Sequence, residues 1–163
     1  MTSRSRLPAL LRAASRARAK AYSPYSGFRV GAAVLAGGRI FAAGNVENSA
    51  YPLSICAERN AVAMAVAAGH RRIDAVAVVA GEGQPAAPCG GCRQVIAEFS
   101  APRTPVIYAA SGGRRVTTDV GSLLPDAFGP EAFRQPAGAG ARTTAGVQRA
   151  AARVRRTRQG RSP

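Results

Sequence analysis

The sequence predicts an α/β fold in which a mixed five-stranded sheet carries helices on both faces. Segments with helical periodicity alternate with short apolar runs in the order α, β, β, α, β, α, β, β. Such alternation is typical of a sheet covered by helices. The chain has 163 residues, of which 47% are hydrophobic, and this length and composition suit one compact domain.

The N-terminal half is predicted to form a helix, a hairpin and a second helix. Apolar residues recur at helical spacing from Leu7 onward, and Pro8 suits a first helical turn. Gly37 and Gly38 separate two strand-like runs, as a two-residue turn with positive φ requires. Gly69 marks the end of an alanine-rich helix. These elements are a helix over 7–21, strands over 28–36 and 39–44, and a helix over 56–68.

The C-terminal half is predicted to contain a strand, a helix and two further strands. An apolar, β-branched run that begins at Ile73 suits a central strand. The helix that follows opens with Cys-Gly-Gly-Cys, and Ser111-Gly112-Gly113 forms the turn between the last two strands. These elements are a strand over 73–80, a helix over 90–99, and strands over 106–110 and 114–118.

All three cysteines lie where predicted helices begin, and they indicate a zinc site with one open position. Cys56 precedes one helix, and Cys89 and Cys92 open the next. Structural zinc sites use four protein ligands, whereas catalytic sites use three and leave one position for water. His70 lies fourteen positions after Cys56, roughly 20 Å away along a helix, so it cannot easily serve as a fourth ligand. A helix N-terminus also favours the thiolate that a metal needs.

Glu58 is the candidate for proton transfer, because it lies two residues beyond Cys56 at the start of the same helix. There its carboxylate can face a water in the open position and take and return protons. Cys-x-Glu followed by Pro-Cys-x-x-Cys matches the general pattern of zinc deaminases. A zinc dication with three thiolates carries one net negative charge, so a cation is expected nearby. Arg59 and Arg93 adjoin the two segments and can donate hydrogen bonds to the sulfurs.

The net charge of +15 lies in the two ends of the chain. Residues 1–46 hold eight Arg or Lys and no acid, 47–135 hold eight Arg and eight acids, and 136–163 hold seven Arg and no acid. Nucleic-acid binding is therefore not expected at the site, and only weak binding through the basic tail is predicted. An odd cysteine count indicates a reducing cytoplasm rather than a disulfide framework. No apolar run approaches the ~18 residues of a membrane span.

Several separated motifs resemble one family. Residues 22–133 resemble the small homotetrameric cytidine deaminases of the three-cysteine type, which implies their three-layer fold. Beyond the zinc segments, the motifs that carry the resemblance are YSGFRVGAA at 25–33, NVEN at 45–48, YP at 51–52 and LPDAFGP at 124–130. Residues 7–21 correspond to the first helix of this family, although their arginine- and serine-rich composition is also typical of a mitochondrial transit peptide.

The resemblance implies a nucleoside site. Asn45 and Glu47 fall on one face of an extended segment, and they look like the pair that binds the sugar hydroxyl in nucleoside deaminases. By the same resemblance Phe28, by default a core aromatic, stacks on the pyrimidine ring. Tyr51, in the loop before the zinc helix, and Phe128 are expected to reach the site of a neighbouring subunit, so that sites are shared within a homotetramer.

The expected reaction is hydrolytic deamination of cytidine and 2′-deoxycytidine in pyrimidine salvage. Glu58 carries protons from water to ring N3 and to the departing amine, and the backbone of Ala57 hydrogen-bonds the 4-amino group. A small uncharged nucleoside suits the neutral central segment better than a polynucleotide, which would need a basic track beside the site. The domain is expected to span 1–135, and 136–163 are expected to form a disordered basic tail rich in Gly, Ala and Arg.

Three other functions compete with this prediction. A deaminase of a cytosine-containing antibiotic such as blasticidin S would share the zinc segments, but the Asn45-x-Glu47 pair argues against it. Cys-x-x-Cys also occurs in thiol oxidoreductases, which have no use for Cys56 or Glu58. A non-enzymatic nucleic-acid-binding module would depend on the basic tail and not on Glu58.

Overall fold

The structure, a computed structural model, describes residues 3–133. The chain falls into two compact units, one up to Ala127 and one from Phe128 onward. The first unit contains α1 (Leu7–Ala19), β1 (Val30–Ala36), β2 (Arg39–Gly44), α2 (Ala57–Ala67), β3 (Ala75–Glu82), α3 (Gly90–Glu98), β4 (Pro105–Ser111), β5 (Arg115–Asp119) and the one-turn helix α4 (Val120–Leu123). Short 3-10 turns cover Ser3–Arg6, Tyr51–Leu53 and, in the second unit, Pro130–Phe133.

The predicted α/β class and element order are confirmed, with α4 as an addition. The sheet has the strand order β2-β1-β3-β4-β5. β1 runs antiparallel to β2 and β3, β3 is parallel to β4, and β4 is antiparallel to β5. The sheet is therefore mixed, as predicted. Its one parallel pair needs a crossover connection, and α3 supplies it.

Helices cover both faces of the sheet and make three layers. Along β1, side chains point alternately to opposite faces. Ala32 and Val34 pack in one buried cluster with residues of α2 and α3. Ala33 and Leu35 pack in a second cluster with α1. α1 lies so close to β1 that a Cβ at Gly31 would overlap the carbonyl oxygen of Ala14, so only glycine fits there.

The β1–β2 turn has the predicted geometry. Gly37 and Gly38 have φ values of 55° and 75°, which suit a two-residue turn with two positive φ angles. The half-buried ring of His70 lies 5.4 Å from the ring of Phe41, centroid to centroid. His70 therefore packs on the hairpin.

Two further predictions concern a membrane-spanning segment and the C-terminal tail. Among the described residues, no helix is long and apolar enough to cross a membrane. The predicted basic tail, 136–163, lies outside the residues that the structure describes.

Candidate metal centre and active site

Two helix N-termini bring the three cysteines together. Cys56 is the N-cap residue of α2 and Cys89 is the N-cap residue of α3, both with extended backbone angles. Cys92 is buried in the first turn of α3. The three Sγ atoms all lie within 4.8 Å of one another. The structure thus assembles the three residues that the sequence analysis selected.

The chemistry of this cluster suits a soft metal ion. Three sulfur donors at this separation can converge on one ion, and thiolate sulfur is a ligand that zinc prefers. His70 does not belong to the cluster, in agreement with its predicted position. The residues present therefore fit a metal held by three protein ligands.

The surroundings of the cluster favour ionised sulfur at Cys56. The pKa of Cys56 is lowered to about 5, first because the thiol of Cys92 donates a hydrogen bond to it and then because Arg59 does. Arg59 Nη2 lies 3.6 Å from Cys56 Sγ and 3.2 Å from the carbonyl oxygen of Ser54. The pKa of Cys92 is raised, because this thiol shares its proton with Cys56 and is buried. The Arg59 guanidinium thus lies where the sequence analysis expected a compensating cation.

Arg93 connects two backbone segments beside the cluster. Its Nε donates to the carbonyl oxygen of Pro88 at 2.8 Å, and its Nη1 donates to that of Leu123 at 3.0 Å. The first bond holds the residue before Cys89, and the second holds the end of α4. The hydrogen bonds of Arg93 thus run to backbone carbonyls rather than to the sulfurs named in the sequence analysis. The contact with Leu123 spans thirty residues and has no signal in the sequence.

Glu58 lies in the first turn of α2 and is only 4% exposed. Its pKa is raised, chiefly because burial disfavours the charged carboxylate, and the negative charge of Cys56 adds to the effect. A hydrogen bond from Cys92 acts in the opposite direction. A buried carboxyl group with a raised pKa beside a candidate metal site can exchange protons near neutral pH. Ala57, just before it, is fully buried.

A cavity of about 350 Å³ opens beside Cys56. It brings together four residues that the sequence analysis selected for metal or substrate binding, namely Asn45, Glu47, Tyr51 and Cys56. Tyr25, Ser26, Val46, Ser54 and Ile55 complete its lining. Tyr25 and Ser26 belong to the 25–33 motif, which was noted for its resemblance only, so their place in the lining was missed.

Asn45 and Glu47 also hold the loop that precedes β1. The Glu47 carboxylate accepts hydrogen bonds from the backbone N–H of Tyr25 at 2.9 Å, from that of Ser26 at 3.2 Å, and from the Ser26 hydroxyl. These hydrogen bonds lower the pKa of Glu47, and the bond from the Ser26 hydroxyl has the largest effect. Asn45 Oδ1 accepts from the N–H of Val30 at 2.8 Å, and Asn45 Nδ2 donates to the carbonyl of Phe28 at 3.0 Å. Each side chain retains further hydrogen-bonding capacity toward a ligand.

The aromatic residues selected by resemblance lie at different places. The side chain of Phe28 is 49% exposed, so it is not the core residue that an aromatic usually is, and it does not line this cavity. Tyr51 is exposed, and its ring lies 5.8 Å from that of Tyr25. In the second unit, the ring of Phe128 packs edge-on against that of Phe133. The substrate contacts of Phe28, Tyr51 and Phe128 stay predictions.

We expect Arg93→Gln to lower the free energy of unfolding of the metal-loaded protein by about 2 kcal/mol, because hydrogen bonds from a charged donor contribute roughly 1.5–3 kcal/mol each. Denaturant unfolding followed by circular dichroism measures the change. Arg103→Gln serves as the matched control, since Arg103 is exposed and should change the unfolding free energy little. Equal losses in both variants would show that the two carbonyl contacts of Arg93 contribute nothing.

Three comparisons with known proteins agree. A family model described as the cytidine and deoxycytidylate deaminase zinc-binding region matches residues 4–108. A cytidine deaminase of Sporosarcina psychrophila is 49% identical over 123 residues, which cover 75% of this chain and 90% of that protein. A crystal structure of cytidine deaminase from Burkholderia pseudomallei matches with a TM-score of 0.71 at 48% identity, covering 74% of this chain and 98% of that one. A Mycobacterium tuberculosis cytidine deaminase structure matches with a TM-score of 0.64 at 41% identity, covering 75% and 96%.

Proposed function

This chain is an enzyme of the cytidine and deoxycytidylate deaminase family, and on that premise we propose that it deaminates cytidine and 2′-deoxycytidine. The products are uridine or 2′-deoxyuridine and ammonia, as in pyrimidine salvage. The observation that carries the proposal is the meeting of three sulfurs within 4.8 Å of one another, with the buried carboxyl group of Glu58 beside them.

The proposed ligands of a zinc ion are Cys56, Cys89 and Cys92. Their sulfurs are of the kind and number that a catalytic zinc site uses, and the lowered pKa of Cys56 supports binding as thiolate. When bound, zinc acts as a Lewis acid that lowers the pKa of water from ~15.7 to about 7. The Arg59 guanidinium offsets part of the negative charge of the three thiolates.

Glu58 is the proposed proton carrier. Its carboxylate takes one proton from the water whose oxygen bonds to C4, and passes that proton to ring N3. It then takes the second proton of the same water and delivers it to the amine nitrogen. The C4–N bond breaks, ammonia leaves and a C4 carbonyl remains, so that one water is consumed for each ammonia released.

The cavity beside Cys56 is the proposed nucleoside site. Its volume of about 350 Å³ falls within the ~300–1,000 Å³ of small-molecule sites. Asn45 and Glu47 are proposed to bind the sugar hydroxyl with a donor–acceptor amide and an acceptor carboxylate. The backbone of Ala57 is proposed to bind the 4-amino group, and Phe28 to stack on the pyrimidine.

We further propose a cytoplasmic homotetramer in which Tyr51 and Phe128 complete a neighbouring site. Apolar side chains cluster in sequence around the cavity segments and are exposed in the single chain, which supports an interface there. They are Tyr22, Tyr25, Phe28, Val46, Tyr51, Leu53 and Ile55. The three free thiols suit a reducing compartment. The proposed catalytic domain spans 1–135, and the tail 136–163 takes no part in turnover.

The alternative functions, an antibiotic deaminase and a thiol oxidoreductase, have less support than cytidine deamination. The similar proteins named above are all cytidine deaminases. Cys56 lies in the cluster with the Cys-x-x-Cys pair, an arrangement that a redox pair does not need. Turnover of cytidine compared with that of blasticidin S distinguishes the two deaminase activities.

Glu58→Gln is expected to lower kcat for ammonia release from cytidine by about 100-fold or more, because positioned acid–base groups contribute roughly 10²–10⁴-fold. Zinc content, measured by mass spectrometry, should stay at the level of the unmodified protein. Glu98→Gln provides the control, since Glu98 is an exposed carboxylate at the end of α3. Wild-type turnover in Glu58→Gln would remove Glu58 from the mechanism.

Glu47→Gln should abolish most of the preference for cytidine over 2′,3′-dideoxycytidine. The variant loses a charge-assisted hydrogen bond from the sugar hydroxyl, so kcat/KM for cytidine should fall roughly 10- to 150-fold while that for the dideoxy analogue changes little. Ser26→Ala removes a loop bond to the same carboxylate and keeps the carboxylate itself. If Ser26→Ala loses the preference equally, the effect belongs to the loop and not to sugar binding.

A further inference from the structure

A row of cations covers the outer side of α1. Arg12, Arg16 and Lys20 are exposed and recur every four residues, which places them on one side of the helix. Arg115 lines a cavity of about 410 Å³ together with Arg12 and Arg16. Arg39 lines a second cavity, of about 840 Å³, together with Arg16 and Lys20. Because Arg16 lines both cavities, these five residues form one continuous α1 basic surface.

No carboxylate neutralises this surface. All eight acidic residues of the chain lie between Glu47 and Glu131, within the described residues, and neither cavity is lined by one. The ion pairs among the described residues are those of Arg18 with Glu82 and Arg72 with Asp74. Arg18, on the same helix, is thereby paired, whereas the five cations of the α1 basic surface have no acidic side chain within salt-bridge distance.

The shape of the surface suits an extended anion. Arg12 and Lys20 are eight residues apart, about 12 Å along the helix, and Arg39 and Arg115 widen the surface on either side. The one aromatic side chain in the two linings is Phe41, which is buried and lies under the Arg39 guanidinium at 5.2 Å. The surface therefore offers charge without an exposed ring on which a base could stack.

The α1 basic surface is also separate from the cysteine cluster. α1 packs on the sheet face that carries Ala33 and Leu35, whereas α2 packs on the face that carries Ala32 and Val34. Neither cavity lining contains a cysteine or Glu58, and the second reaches α2 only at Met64, eight residues beyond Cys56.

We propose that the α1 basic surface binds the phosphate backbone of nucleic acid without sequence selectivity. The net charge of +15 favours a strongly negative partner, and a phosphodiester chain presents charges that successive guanidinium groups can contact. This activity goes beyond nucleoside deamination and does not depend on it. It also differs from the expectation that any nucleic-acid binding belongs to the tail.

Salt dependence of DNA binding tests this proposal on the full-length protein. Fluorescence anisotropy with a labelled duplex of about 20 base pairs, from about 50 to about 200 mM salt, gives the slope of log K against log salt concentration. Each lost phosphate contact lowers the steepness of that slope by about 0.9. The triple variant Arg12→Gln, Arg16→Gln, Arg115→Gln should therefore lose roughly 2 to 3 in slope.

A second triple variant with the same loss of charge is the control. Arg71, Arg72 and Arg103 are exposed and line neither cavity, so their replacement by Gln should leave the slope near that of the unmodified protein. Cytidine turnover should be unchanged in both variants. Arg16→Gln alone should lower the slope by about 0.9, which keeps the test decisive if a triple variant unfolds.

Three results would overturn the proposal. Equal losses in both triple variants would mean that net charge alone governs binding. An unchanged slope in the α1 variant would assign all DNA contacts to other arginines, such as those after residue 135. Heparin and inorganic phosphate are the competing probes, and release of DNA by millimolar phosphate would indicate a small-anion site and contradict an extended one.

Discussion

The N-termini of α2 and α3 meet at the cysteines, and the rest of the first unit fixes this meeting. The connection between β2 and α2 places Cys56 at one helix start. The parallel pair β3–β4 requires a crossover, and α3, which forms it, carries Cys89 and Cys92 in its first turn. Two sets of unpaired N–H groups and two positive helix ends thus surround the sulfurs. At Cys56, whose pKa is lowered to about 5, thiolate is favoured before any metal is considered.

The meeting of the two helix N-termini at the cysteines explains why charged side chains lie beside the cluster. Three thiolates around a dication leave one net negative charge, and Arg59 lies against Cys56. The same first turn of α2 buries Glu58, whose pKa burial raises. The start of α2 thus carries both the proposed proton carrier and one of the three proposed metal ligands. Arg93 then holds the segment before Cys89 to the end of α4, so that the position of the cluster depends on a contact distant in sequence.

Local signals in the sequence predict most of the fold and the cysteine cluster. Helical spacing predicts α1, the Gly37-Gly38 pair predicts the hairpin, and thiols at two helix starts predict the metal centre. Side-chain contacts across the fold have no such signal. The hydrogen bonds of Asn45 with the backbone of Val30 and Phe28 join residues 15 and 17 positions apart. They form only when the tertiary fold brings these two segments together. The sequence shows an excess of cations at the two ends of the chain, but only the packing of α1 shows which cations of the described residues have no acidic partner.

X-ray absorption at the zinc edge of the purified enzyme, combined with its metal content, tests the account most directly. We expect about one zinc per chain with three sulfur neighbours at about 2.3 Å and one oxygen neighbour at about 2.0 Å. A fourth protein ligand in place of that oxygen would leave no position for the water that is consumed. A protein that releases ammonia from cytidine without bound metal would contradict the account entirely.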